Sequence, residues 1–230
     1  MDTGKTTHVI VLVDNKGNHS FIGVLGSRLE PNIINKDLIA YSKYIYVSCY
    51  SMLTPAETNA TLKAIEIAHR VDTKVFFDPG PLHHVISNEI LRKVILNSNI
   101  MTLNDFEAYA ITGASNLEDA AKKLLDMGPK IVVIKMGAKG ALLAYDDILE
   151  KIPTLSVKVV DTSGAGDSFN AGLLFGLING LSPREAVIVA NAVGAAKVQK
   201  LGTGKNMPTA GEVKQMLLKM GQETLASKLF

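Results

Sequence analysis

Cysteine is almost missing: Cys49 is the only one in 230 residues. That excludes disulfides within the chain and metal clusters built from cysteine, and it agrees with a reducing compartment. An excess of either charge is missing too, since 24 basic residues face 22 acidic ones for a formal net charge of +2. No basic run carries interleaved aromatics, so nothing points to a nucleic-acid partner. No apolar run approaches the length of a membrane span. The opening "MDTGKTTHVIVLVD" has an acid early and another after a short apolar run, unlike a secretory signal. Internal repeats and low-complexity linkers are absent as well. What is present is a composition of 47% hydrophobic and 20% charged residues, enough to bury a large core. The expectation is a soluble, cytoplasmic protein with one substantial domain and at most a small appendage.

Alternation marks the first elements. "THVIVLVD" (Thr7 to Asp14) and "HSFIGVL" read as two strands around a turn at "NKGN" (Asn15 to Asn18), that is, a β-hairpin. Beyond "LEP" the texture changes. Strand-like runs "YIYVS", "KVFFDPG", "IMTLN" and "KIVVIKMG" alternate with helical patterns. The helices are "TPAETNATLKAIEIAHRV", "SNEILRKVIL", "NDFEAYAIT" and "NLEDAAKKLLDMG". Thr54, Pro55 and Glu57 cap the first of these, while Gly113 and Gly128 stop the last two. "GALLAYD" and "LEKIPTLSVKVV" read as an antiparallel pair, and three further helical patterns complete the chain. Strands alternating with helices imply crossovers and a mostly parallel α/β sheet covered on both faces. The plausible division is a hairpin over residues 1–25 and an α/β body over 26–230, with the boundary near Gly26 to Pro31.

The chemistry concentrates in "VVDTSGAGDSFNAGLLFGL", residues 159–177. Residues 157–160 read as a strand end, and a helix follows. A helix N-terminus offers unpaired N–H groups and a positive dipole end, and glycines there let an anion approach the backbone. Thr162 to Gly166 therefore forms a good phosphate cradle. Asp167 is the odd member, because a carboxylate repels a phosphate unless it has a task. Accepting a proton from a hydroxyl that attacks the bound phosphorus is such a task. The bland alternative is close helix packing by the glycines and an acid that favours the helix dipole.

"DTSGAGDSFNAG" closely resembles the C-terminal signature of the ribokinase-like, or PfkB, family of carbohydrate and nucleoside kinases. "FFDPGP", "LNDFEAYAITG", "VVIKMGAKGALL" and "ANAVGAAKVQKLGTGKNMP" resemble further family segments in the same order, so the resemblance covers essentially the whole chain. It implies a ribokinase-like fold and ATP-dependent phosphorylation of a hydroxymethyl group on a sugar or nucleoside. It implies Asp167 as base and Gly164, Ala165 and Gly166 as an anion hole, with Thr162 nearby. Asn104 and Glu107 would act near Mg²⁺ and the phosphates, largely through water. Gly137 and Gly140 would border the phosphates and ribose. Lys135, standing where many relatives carry threonine, would reach a phosphate. Asn191, Gly202 and Thr203 would line the adenine pocket, and Asp161 would help hold a monovalent cation, K⁺, behind the anion hole. Each has a bland counterpart: Asn104 with Glu107 makes a capping pair, Asn191 a surface polar residue in mid-helix, and Lys135 a solvated cation.

Two other stretches fall away. "TGKTT" (Thr3 to Thr7) lacks the earlier glycine and strand that a P-loop needs, and "GAGDSF" has Phe169 where a dinucleotide fingerprint needs glycine. His83 and His84 are adjacent and do not share a helix face, so no protein-held zinc is expected. The family's early aspartate and its Gly-Gly segment followed by asparagine, which bind the acceptor, have no counterpart here. The chain thus reads as lacking the N-terminal portion of its relatives, with Thr7 to Ile22 resembling the second hairpin of a lid. Ser48 and Tyr50 remain as acceptor-side candidates. The expected consequence is an exposed apolar sheet edge and face, poor stability or association of copies, as in a homodimer. The alternative function is a nucleotide-binding fragment or regulatory protein without catalysis.

Overall fold

The computed structural model describes residues 5–13, 19–24, 26–27 and 29–230. The alternating runs at the start form a separate two-stranded sheet. Strand β1 (His8–Val13) pairs antiparallel with β2 (His19–Val24), with His8 opposite Val24. The turn expected at Asn15–Asn18 lies outside the described residues, as does part of the expected boundary near Gly26. Val9, Ile10, Leu12, Ile22 and Val24 of this hairpin are each more than half exposed to solvent.

The rest of the chain folds as the strand–helix alternation requires. A short helix that the sequence pattern did not reveal comes first, α1 (Lys36–Ala40), capped by the Asn35 side chain. Strand β3 (Tyr44–Ser48), helix α2 (Pro55–Arg70), β4 (Lys74–Asp78), α3 (Asn88–Leu96) and β5 (Ile100–Asn104) follow. Then come α4 (Asp105–Thr112), α5 (Leu117–Asp126) and β6 (Ile131–Lys135). The antiparallel pair β7 (Ala141–Tyr145) and β8 (Ile148–Ile152) completes the strands. Four helices end the chain: α6 (Ala165–Ile178), α7 (Pro183–Lys197), α8 (Ala210–Lys219) and α9 (Glu223–Leu229). The last was not foreseen. The Thr54 hydroxyl accepts the Glu57 amide at the start of α2, and Gly113 ends α4 in the left-handed conformation, as the sequence predicts.

The sheet runs β3-β4-β5-β6-β7-β8, with the first four strands parallel. The period-two rule divides its side chains between two cores. Val75 and Phe77 of β4 and Val132 and Ile134 of β6 face one core, built with α2, α3, α4 and α5. Phe76 and Val133 face the other, built with α6, α7, α8 and α9. Phe76 and Phe77 are fully buried on opposite faces, and burying such a ring contributes roughly 1.5–3 kcal/mol. This is a three-layer α/β body with both faces of the sheet covered.

Two features position the site. Helices α6 and α7 lie very close, because a Cβ on Gly172 would meet Val193 at 2.8 Å and one on Gly176 would meet Ala186 Cα at 2.9 Å. The segment before α6 departs from expectation. Residues 153–160 form no strand, and β8 stops at Ile152 ahead of Pro153, which cannot donate to a ladder. Val159 and Val160 are exposed, and the Val160 amide donates to the Val198 carbonyl at 2.7 Å. The site turn thus hangs between a loop and the C-terminal end of α7. At the far side of the sheet β3 is the edge strand and pairs, among the described residues, with β4 alone.

Candidate active site

A cavity of about 790 Å³ opens where four parallel strands end. Ser48 closes β3, Asp78 closes β4, Asn104 closes β5 and Lys135 closes β6, and all four line it. The register sets Ser48 beside Asp78 and Asn104 beside Lys135. This is the carboxyl end of a parallel sheet, where α/β proteins place their ligands. The start of α6 forms another wall, with Thr162, Gly164, Ala165, Gly166 and Asp167 on the cavity.

Hydrogen bonds hold the turn at residues 161–166. Asp161 accepts the Ser163 amide on one carboxylate oxygen at 2.9 Å and the Gly202 amide on the other at 2.7 Å. The Ser163 amide, then the Gly202 amide, with the Lys197 charge behind them, hold its carboxyl down to about 2. Gly164 is left-handed, with φ 70° and ψ 10°, which costs a residue with a Cβ about 1–2 kcal/mol. A Cβ there would also stand 3.0 Å from the Thr203 methyl. The Ala165 amide turns back to the Thr162 carbonyl at 3.1 Å, and the first bond of the helix joins the Ser168 amide to the Gly164 carbonyl. Among the described residues the amides of Gly164, Gly166 and Asp167 have no protein acceptor. The open donors are therefore two of the three expected residues plus Asp167 itself, with Ala165 spent internally. The Asp167 side chain is exposed on the cavity wall.

Beneath this turn lies a polar network. Lys135 Nζ donates to Asp78 at 2.8 Å and lies 3.6 Å from where a Gly166 Cβ would be. Asn170, on the second turn of α6, donates to the same Asp78 carboxylate and to the Tyr46 hydroxyl at 3.3 Å, and accepts from Thr102 at 2.9 Å. Burial, then the Asp78 carboxylate, pushes the Tyr46 phenol well above its usual range. Lys135 is thus a held cation under the turn, and the solvated alternative is set aside because its side chain is only 16% exposed. Asp78 and Asn170 were not among the expected site residues. The signals were an acid closing a buried strand in "FFDPG" and an asparagine one turn after Gly166 in a helix otherwise apolar on that side.

The remaining expected residues divide. Asn104 and Glu107 line the cavity and also complete the capping box, with bonds of 2.8 and 2.9 Å. Burial pushes the Glu107 carboxyl up, against the Asn104 amide. Gly137 and Gly140 reach the cavity from the β6–β7 turn. Asn191 is buried on α7 rather than on the surface, and its amide donates to the Ile152 and Pro153 carbonyls at 3.1 and 3.3 Å. It lines the cavity while tying the end of β8 to the helix. Gly202 and Thr203 do not reach the cavity wall. They stand behind Gly164, and Gly194, Ala195 and Val198 line that side instead. Tyr50 and Ser48 are on the cavity, and burial followed by the Asp167 carboxylate raises the Tyr50 phenol.

The surroundings of Asp161 do not fit a monovalent metal ion. Both of its oxygens already take amides, and a buried ammonium, that of Lys197, lies close enough to lower its pKa. A second cation there would be repelled by the Lys197 charge.

The model of the pfkB family of carbohydrate kinases matches residues 1–210. The chain belongs to that family. Mouse ribokinase is 32% identical over 209 residues, which are 86% of this chain and 62% of that protein. An uncharacterized sugar kinase of Archaeoglobus fulgidus is 28% identical over 89% of this chain and 81% of its own length. Among solved structures, ribokinase from Thermotoga maritima superposes with a TM-score of 0.79 at 30% identity, covering 94% of this chain and 71% of that one. Aminoimidazole riboside kinase from Salmonella enterica, solved with aminoimidazole riboside and an ATP analog, gives 0.73 at 26% identity, over 82% of this chain and 66% of that one. The fold is ribokinase-like, a mostly parallel sheet with helices on both faces and a small antiparallel hairpin. Against curated relatives such as mouse ribokinase, the pfkB chain spans about three fifths of their length.

Proposed function

We propose that this chain carries the phosphoryl-transfer site of an ATP-dependent kinase that phosphorylates a hydroxymethyl group of a sugar or nucleoside. The observation that carries the reading is the meeting of three unpaired amides, the Asp167 carboxylate and the Lys135 ammonium at one end of one cavity. The amides of Gly164, Gly166 and Asp167 hold the oxygens of the transferring phosphoryl, and Lys135 adds positive charge below them. Asp167 accepts the acceptor's hydroxyl proton as its oxygen bonds to phosphorus and the bond from phosphorus to the leaving ADP oxygen breaks. Gly137, Gly140 and Thr162 leave room for the phosphates and ribose. Asn191 serves the adenine end, and Gly202 and Thr203 serve it only from behind the turn. Tyr46, Ser48 and Tyr50 face the acceptor.

The cavity suits this load. Its volume falls within the usual range for small-molecule sites. No three His, Cys, Asp or Glu side chains converge as a metal site among the described residues, which suits Mg²⁺ held mainly by phosphates and water. Glu107 and Asn104 would hold those waters, and the ion when bound supplies neutralisation of the polyphosphate. The same reading makes the β1–β2 hairpin part of a lid over the acceptor, distinct from the body that begins after it. Its exposed apolar face supports association of the chain as a homodimer.

A panel of sugars and nucleosides, assayed for acceptor-dependent ADP release with MgATP, tests the proposal. Turnover with at least one acceptor is expected. ATP binding without turnover on any acceptor would contradict it and favour a second reading, a nucleotide-binding protein without catalysis. One observation favours that second reading: the acceptor side is lined by half-exposed Tyr46, on the edge strand itself, and Tyr50 just after it.

A further inference from the structure

We propose that the Lys197 ammonium is the built-in cation of the phosphate-binding turn and takes the place of a monovalent metal ion there. The inference rests on the kinase reading for its purpose, but its geometry stands apart from it.

Lys197 ends α7, and its side chain is fully buried. Lysine is almost never fully buried without a paired acid. Among the described residues its ammonium has no carboxylate within ion-pair distance, and its one hydrogen bond runs to the Lys200 carbonyl at 3.2 Å. Such a charge is costly in the interior unless its surroundings are negative. Here they are. The residue sits at the C-terminal, negative end of the α7 dipole. The Lys200 carbonyl bonds it, and the Asp161 carboxylate feels its charge.

The position explains the cost. The Lys197 side chain reaches within 3.9 Å of where a Gly164 Cβ would be, and it does not line the cavity. Asp161, whose carboxylate feels the Lys197 charge, is tied to the Ser163 and Gly202 amides. The Val198 carbonyl, next in sequence to Lys197, takes the Val160 and Asp161 amides. One buried cation therefore stands behind the amides that would face a phosphoryl group. It offsets the Asp161 charge and adds a fixed positive field to the cradle. A mobile ion gives such a field only at sufficient concentration, whereas a tethered ammonium gives it always. Lys197 touches no reacting atom and is a positioning residue.

The test compares the wild-type chain with Lys197→Ala and Lys197→Met. ATP affinity by calorimetry and the melting temperature are measured in KCl, NaCl and choline chloride at equal ionic strength. The wild type should be indifferent to the cation in both readouts. Lys197→Ala should bind ATP roughly tenfold more weakly in choline. Potassium should restore both its affinity and its melting temperature, and a merely structural role would not produce that rescue. Lys197→Met, which keeps the bulk without the charge, should lose affinity without potassium rescue. A wild type whose melting temperature rises in KCl over choline would overturn the proposal. So would a Lys197→Met variant that binds ATP as tightly as the wild type. If the variants do not fold, the wild-type cation series decides alone. A wild type that binds no ATP in any salt would sink the kinase reading, while the melting temperatures would still judge Lys197.

Discussion

Asp161 works without lining the cavity. Its two oxygens hold the amides of Ser163 and Gly202 and so join the turn to the loop after α7. Its carboxyl is held at about 2, below the ordinary 3.8. A carboxylate whose folded pKa is depressed adds stability above its unfolded pKa and loses it as the pH falls through the folded value. Urea midpoints measured from pH 5 to pH 2 should therefore fall more steeply for the wild type than for Asp161→Asn. Parallel curves would contradict this role. At the same scale, the turn to which the proposed function gives the phosphoryl group stands out in the sequence as glycine beside an acid at a helix start. Lys197 was not readable, because a lysine near a helix end normally caps the carbonyls from solvent, and only the fold shows it buried. Asn104 and Glu107 show the converse: the capping pair and the site position are one arrangement.

Elements were legible where periodicity and punctuation agreed, as in α2 with its Thr54 cap and α4 with its Gly113 stop. Two short or late helices, α1 and α9, were not, because five and seven residues carry too little pattern. The valine-rich stretch Val157–Val160 misled for another reason. Its alternating pattern suits a strand, but the Val160 amide finds the end of α7 and the stretch joins no ladder. The strands β1 and β2 pair as read, yet Val9, Ile10, Leu12, Ile22 and Val24 are each more than half exposed. A two-stranded ribbon is marginal alone, and exposed apolar faces mark interaction surfaces. Light scattering at micromolar concentration should report a dimer, and introducing Ile10→Lys with Ile22→Lys should give a monomer that keeps its melting transition. A monomeric wild type would contradict the association.

The whole molecule brings these parts to one place. Four parallel strands deliver Ser48, Asp78, Asn104 and Lys135 to the same end, and the tight contact of α6 with α7 sets the turn at residues 161–166 above them. That convergence was implied by the strand–helix alternation, since ligands gather at the carboxyl ends of such sheets. The Asp78–Asn170–Lys135 network beneath it was hidden, because it joins positions up to 92 residues apart. The central claim is that Asp167 is the base of a phosphoryl transfer at this convergence. Its most direct test is Asp167→Asn, with ATP affinity and acceptor-dependent ADP release measured on the same preparation. ATP affinity should stay near the wild-type value while turnover falls by roughly 10²–10⁴-fold. Turnover that survives the substitution would contradict the claim.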